Sequence, residues 1–170
     1  MDIYTLTSYL AENLEFIKGK KAYQKLVYFS KAIGIPLNES YKLYYYGPYS
    51  QQVADELEEC LNYGILDKSE EAFYFNAGIK SKEVLEKNKK DIYAYKERLE
   101  KIIKTFGECD PMELEILATV HFIYNNMNFI YGMNDRKVII EEVKKIKSPK
   151  FSDTEIQDAY KKLLKNGYLN

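Results

Sequence analysis

Tyr44-Tyr45-Tyr46-Gly47-Pro48-Tyr49-Ser50 is an aromatic run broken by Gly-Pro, and it opens straight into a segment of helical pattern. Each non-aromatic residue in it has a local reason. A residue that precedes proline is pushed out of the α region, and Gly47 takes the required conformation at low cost. Ser50 can offer its side-chain oxygen to the amide of Gln52 or Val53, as an N-cap does. The stretch therefore predicts a strand over 41–46, a sharp turn at Gly47 and Pro48, and a helix that begins after Ser50.

Upstream of this corner, Leu6, Tyr9, Leu10, Leu14 and Ile17 recur at three- and four-residue spacing and predict a first helix that ends before Gly19. Residues 20–33 predict a second, with Tyr23, Leu26, Val27 and Ile33 on one side and Lys21, Lys25 and Lys31 largely off it. Downstream, Val53, Leu57, Cys60 and Leu61 give the helix over 50–63 an inward face, and Gly64 stops it. Ile65-Leu66 and Phe73-Tyr74-Phe75 then flank the polar tip Asp67-Lys68-Ser69-Glu70-Glu71, as the arms of a β-hairpin would. Helix, glycine, short strand, polar tip and strand form the ending of a winged-helix unit, here over 1–78.

Residues 81–105 predict one long, highly charged helix with a narrow apolar stripe through Val84, Leu85, Ile92, Leu99 and Ile102, at the centre of a connector over 79–107. Asp110-Pro111-Met112-Glu113 is a strong helix start, with an N-cap, a proline at the first position and a glutamate three after the cap. A loop is expected over 125–135 and a helix over 137–147. Ser152 and Glu155 form a capping box ahead of a last helix that ends at Gly167. The expected fold is mainly α with a minor β part: a winged-helix-like N-terminal unit with a small hairpin, a long connecting helix, and a C-terminal three-helix unit over 108–170, joined in one compact body.

A faint repeat links two of these segments. Val53, Leu57, Cys60, Leu61, Gly64 and Leu66 match Ile156, Tyr160, Leu163, Leu164, Gly167 and Leu169 at a constant offset. Two related three-helix units would produce it, and so would two amphipathic helices that each end at glycine.

Composition narrows the function classes. The 170 residues are 46% hydrophobic and 30% charged, with a formal net charge of −1, so nothing pulls the whole molecule toward nucleic acid or acidic membranes. No apolar run reaches the roughly 18 residues that span a bilayer; the stretch from Leu114 to Tyr124 is interrupted by Glu115 and His121. Met1-Asp2-Ile3-Tyr4 has neither a basic nor an apolar leader region, and Cys60 and Cys109 form no framework, so a cytoplasmic protein is expected.

Catalytic chemistry is poorly stocked. The single histidine, His121, falls on an apolar helix face beside Leu117 and Phe122, where a core role is the expected one. One histidine and two separated cysteines do not make a zinc set, and the glycines are scattered as helix stops rather than gathered in a phosphate loop. No catalytic residue, metal ligand or cofactor is nominated. Nucleic-acid binding is disfavoured as well. The helix after Ser50 carries Asp55, Glu56, Glu58 and Glu59 with no lysine or arginine, and would meet phosphates with like charge. The lysines over 80–104 are interleaved with acidic residues at helix spacing, which makes a solvated face. Lys161, Lys162 and Lys165 on the last helix are the basic residues left for a DNA-binding alternative.

Tyrosine is over-used, with 17 residues and no tryptophan. A phenol packs like phenylalanine while keeping its hydroxyl wet, and it also serves as an interface anchor. Strand alternation sends Tyr44 and Tyr46 to the face opposite Tyr41, Leu43 and Tyr45, so one set must meet another element or a partner.

Lys20-Lys21-Ala22-Tyr23-Gln24-Lys25-Leu26-Val27-Tyr28, Tyr45-Tyr46-Gly47-Pro48-Tyr49-Ser50, and Leu57 with Leu61-Asn62-Tyr63-Gly64-Ile65-Leu66 together resemble the YwgA-like bacterial family. They are more distantly similar to the Panacea (SocA-like) antitoxin domain. Leu114-Glu115-Ile116-Leu117-Ala118-Thr119 and Lys147-Ser148-Pro149-Lys150-Phe151-Ser152 extend the likeness over most of the chain, and Ala22-Tyr23 departs from it where an aliphatic residue is commoner. The Panacea likeness implies a protein-binding module that neutralises a protein toxin, and it carries no catalytic residues. The expected function is thus non-enzymatic protein binding, antitoxin-like or regulatory. Asp55, Glu56, Glu58 and Glu59 would capture a basic partner surface that Tyr44, Tyr46 and Tyr49 anchor. A winged-helix transcriptional regulator and an enzyme without a recognisable motif stand as alternatives.

Overall fold

Helix starts are where the chain's local chemistry is plainest. Asp2 accepts from the Thr5 amide ahead of α1 (Ile3–Asn13), and Ser50 accepts from Val53 ahead of α3 (Gln51–Asn62). Between them lie α2 (Gly19–Ala32) and an antiparallel pair, β1 (Lys42–Tyr44) and β2 (Gly47–Tyr49). A second pair, β3 (Leu66–Lys68) and β4 (Phe75–Ala77), follows α3. The remaining helices are α4 (Ser81–Lys87), α5 (Lys89–Ala94), α6 (Lys96–Phe106), α7 (Pro111–Tyr131), α8 (Arg136–Lys147) and α9 (Asp153–Lys165). This is a computed structural model that describes residues 1–70 and 73–170. The fold is mainly α with a minor β part. Of the expected hairpin tip, Glu71 lies outside the described residues.

Several elements differ from the expected ones. The first helix ends at Asn13 rather than just before Gly19, and Ile17 instead pairs antiparallel with Phe75. The second hairpin's arms are shifted along the chain, so that β3 takes in Asp67 and Lys68 of the expected tip. The strand over 41–46 stops at Tyr44, because Tyr44 pairs with Gly47 and the chain reverses through Tyr45 and Tyr46 into β2 before it reaches Ser50. The single helix over 81–105 is broken at Asn88 and Tyr95, both at φ −113° with ψ near zero. Asn88 turns its side-chain amide back onto the Val84 carbonyl, the local competition with helix bonding for which asparagine is known. The break also lets α4 lie on α1 while α6 lies on α2. Finally, the loop over 125–135 is helix as far as Tyr131, and Gly132, at φ +63°, supplies the left-handed stop.

One hydrophobic cluster runs from Ile3 to Leu169 with α2 at its centre, touching α3, α6, α7 and β2. Phe29 stacks on Phe106 at 3.9 Å and 16°, and Tyr168 meets both rings edge-on. His121 belongs to this core: Tyr28 Oη lies 2.8 Å from its Nδ1, and burial pushes the imidazole down to about 4. What the two repeated segments share is a helix stop. Gly64 and Gly167 sit at φ +70° and +69°, and the following amides of Ile65 and Tyr168 each reach back 2.9 Å to the carbonyls of Cys60 and Leu163.

Candidate functional site: the tyrosine corner and its lysine clamp

The β1–β2 hairpin is short, and side chains from other elements hold it. β2 lies against α7 and α2. Gly47 sits at φ +84°, and a Cβ there would lie 2.7 Å from Thr119 Oγ1 and 3.4 Å from the Glu115 carbonyl oxygen. Glycine is therefore required twice, for the turn and for the close approach to α7. Gln24 on α2 donates to the Ser50 carbonyl at 2.8 Å and accepts from the Ser50 amide at 3.1 Å, which fixes the start of α3. Lys25 donates to the Pro48 carbonyl at 2.6 Å, and Lys147 on α8 donates to the Tyr45 carbonyl at 2.8 Å. The Tyr46 ring lies between two ammonium groups, Lys21 at 4.4 Å and Lys150 at 4.7 Å from its centroid.

These lysines converge on one carboxylate. Glu115 on α7 is fully buried, and its oxygens accept from Lys147 at 2.7 Å, from Lys21 at 2.8 Å, and from Lys150 at 2.8 and 2.9 Å. Burial opposes ionisation of this carboxyl, but the hydrogen bonds from Lys147, Lys150 and Lys21 outweigh it and hold the group at about 2. For the amines burial prevails instead, against the pull of the carboxylate. Burial pushes Lys25 down to about 7, with Glu115 opposing and Lys147 and Lys21 adding to the fall; burial also lowers Lys147. The expectation that Lys21 and Lys25 lie largely off the buried side fails for Lys25, whose buried position follows from its bond to Pro48. Glu115 itself carries a signal in the sequence, as the single acid in an apolar run, but its partners are dispersed along the chain.

Above this floor lies a groove of about 710 Å³ between α2, the hairpin and α3. Tyr44, Tyr45, Tyr46 and Tyr49 wall it, with Tyr44 and Tyr49 packed edge to face at 5.4 Å. Tyr45 is 93% exposed. Simple alternation does not survive the turn: Tyr46 folds onto the lysines, while Tyr45 stands free at the tip. On the α3 side, Asp55 and Glu58 complete the rim, and Glu58 accepts from Lys20 across it at 2.7 Å.

The four acids of α3 do not share one surface. Asp55 and Glu58, three residues apart, face the groove. Glu59 accepts from the Tyr4 hydroxyl on another side. Glu56 is half-buried toward Glu39 and Tyr41, and one of its oxygens, one of Glu39 and the Tyr41 hydroxyl are buried without a hydrogen-bond partner. Burial first, then the nearby carboxylates of Glu39, Glu59 and Asp55, raises Glu56 from 4.5 to about 7. Because the folded form holds this proton more tightly, stability falls as pH rises between those two values. Glu56→Gln is expected to flatten that fall, and denaturant titrations at either end of the window measure it. An unchanged pH slope in the variant would contradict the assignment.

Elsewhere the candidates are occupied. Lys161 pairs with Asp158 at 3.1 Å, and Lys162 donates to Glu113 at 2.6 Å and to the Cys109 sulfur at 3.1 Å. Lys165 is exposed. Cys60 and Cys109 are free and buried, and burial pushes the Cys60 thiol up to about 12. Among the described residues, no helix is long and apolar enough to cross a membrane.

No family model matches the chain. Over 55 residues it is 38% identical to the uncharacterized protein YwgA of Bacillus subtilis (strain 168), a stretch that makes up 32% of this chain and 33% of that protein. The chain thus spans about a third of that relative's length.

Proposed function

We propose that the chain is a non-enzymatic protein-binding module, antitoxin-like or regulatory, that takes a segment of a partner protein into the tyrosine-walled groove. The observation that carries this reading is Tyr45, 93% exposed at the tip of a hairpin whose own backbone is clamped by buried lysines. An exposed aromatic on a fixed support loses little conformational freedom on binding, which is the property of an anchor residue. The groove walls suit apolar side chains of the partner. Asp55 accepts only from Gln51 among the described residues, and Glu58 shares its charge with a single exposed lysine, so a cation beside those apolar side chains would find acceptors on the α3 rim. The likeness of the Gly47-Pro48-Tyr49-Ser50 block to the Panacea domain supports the antitoxin side of the reading.

Tyr45→Ala and Asp55→Lys are the informative variants, because both side chains are exposed and neither takes part in the lysine clamp, which holds Tyr45 by its backbone carbonyl alone. Each is expected to weaken capture of the partner by about tenfold or more in a quantitative pull-down, the loss of one good anchor. Capture unchanged in both variants would overturn the proposal. DNA binding through Lys161, Lys162 and Lys165 has less support, since the first two are already engaged with Asp158 and Glu113.

A further inference from the structure

The last two turns of α7 pass beyond the protein's core. Phe129 is 92% exposed, Tyr131 70% and Ile130 62%, and Met133 beside them is exposed as well. These side chains point around the whole helix rather than along one stripe, a pattern that belongs to a helix buried by its surroundings. Part of the set continues an existing seam: Ile123 and Met127 are half-buried against the core, and Ile130 and Tyr131 extend them at the i, i+4, i+7 and i+8 positions.

We propose that this helix end is the contact surface for a second copy of the same chain, two α7 ends packing antiparallel about a two-fold axis. Charge argues for that occupant. From Ile116 through Asn134 there is no Asp, Glu, Lys or Arg, in a chain that is 30% charged, so a charged partner would find nothing to pair with. Asn126, Asn128 and Asn134 lie exposed among the apolar residues. A side-chain amide both donates and accepts, so a two-fold copy brings its own complement to every asparagine. Area agrees. Phe129 and Tyr131 can each bury about 150–250 Å². With Ile130, Met133 and the asparagines, the end approaches the roughly 800 Å² per partner of a standard interface.

Analytical ultracentrifugation of the full chain tests this. The protein is expected to sediment as a dimer with micromolar dissociation, and Phe129→Asp with Tyr131→Asp is expected to raise the dissociation constant by at least about a hundredfold, the loss of two aromatic anchors. The far-UV CD spectrum of the double variant should match the native one, because both side chains are exposed in the single chain and the fold does not rest on them. Phe129→Ala, a milder change, should weaken the dimer in the same direction by about tenfold. A monomer at about 100 µM overturns the proposal, as does a dimer that withstands the double variant. Loss of the dimer in Tyr45→Asp overturns it too, because the groove would then be the seat of association. A monomer that co-sediments with phosphatidylcholine vesicles also overturns it, in favour of a lipid surface.

Discussion

Replacing Glu115 by glutamine is expected to destabilise the protein by about 3–5 kcal/mol, the range for removing one partner of a buried ion pair. The amide keeps the shape of the side chain and loses the charge. Lys21, Lys147 and Lys150, which all donate to the carboxylate, would then crowd one another with no anion between them, and Lys147 is almost fully buried. The hairpin should suffer first, since the same lysines hold the Tyr45 carbonyl and bracket the Tyr46 ring. The pH dependence provides an independent check. Glu115 is held at about 2 in the folded protein against an ordinary 4.5, so the unfolded chain binds its proton more tightly. The carboxylate's contribution, about 3 kcal/mol, is therefore complete above the unfolded value and is lost as pH falls between the two. Urea denaturation across that window should show a steep acid loss in the native protein and a shallower one in Glu115→Gln. A loss below about 1 kcal/mol at neutral pH would mean that the lysines do not depend on Glu115.

Gly47→Ala should have the second largest effect, about 2–5 kcal/mol, from two separable causes. An alanine at φ +84° costs about 1–2 kcal/mol for its left-handed backbone. Its methyl would also stand 2.7 Å from Thr119 Oγ1, and crowding a packed site costs about 1–3 kcal/mol more. Thr119 is not free to turn away without losing its 2.8 Å bond to the Glu115 carbonyl. A double-mutant cycle with Thr119→Ala separates the causes: the second change should recover the crowding part and leave the backbone part. Strict additivity of the two substitutions would show that β2 and α7 are not in the contact described. Either way, the block Gly47-Pro48-Tyr49-Ser50 has a structural use that is complete without any partner, which is why Tyr45 rather than Tyr46 is the clean probe of binding.

Much of the fold is legible from neighbours in the chain. The caps at Ser50, Asp110 and Ser152, and the stops at Gly64 and Gly167, involve residues two to five apart and appear in the structure where their spacing places them. The misreadings have one cause. The apolar stripe over 81–105 satisfies a helical period, and it does not reveal that α4 and α6 serve different neighbours. The polar and apolar mixture over 125–135 suggests a loop because sequence periodicity presumes a core on one side, and the end of α7 has none.

The candidate site divides along the same line. The sequence by itself determined a tight turn just ahead of Ser50, which the structure places at Tyr45 and Tyr46 rather than at Gly47 and Pro48, a capped helix after Ser50, a tyrosine excess around both, and an acidic α3. Only the tertiary structure decided that Asp55 and Glu58 face the tyrosines while Glu56 and Glu59 turn elsewhere, and that a buried glutamate stands beneath the turn with lysines drawn from 94 residues before it and 32 and 35 after it. Caps and turns are satisfied within a few residues, so their chemistry is written locally. A buried charge must be neutralised by whatever the fold brings within about 3 Å of it, and that pairing is decided only when distant helices meet.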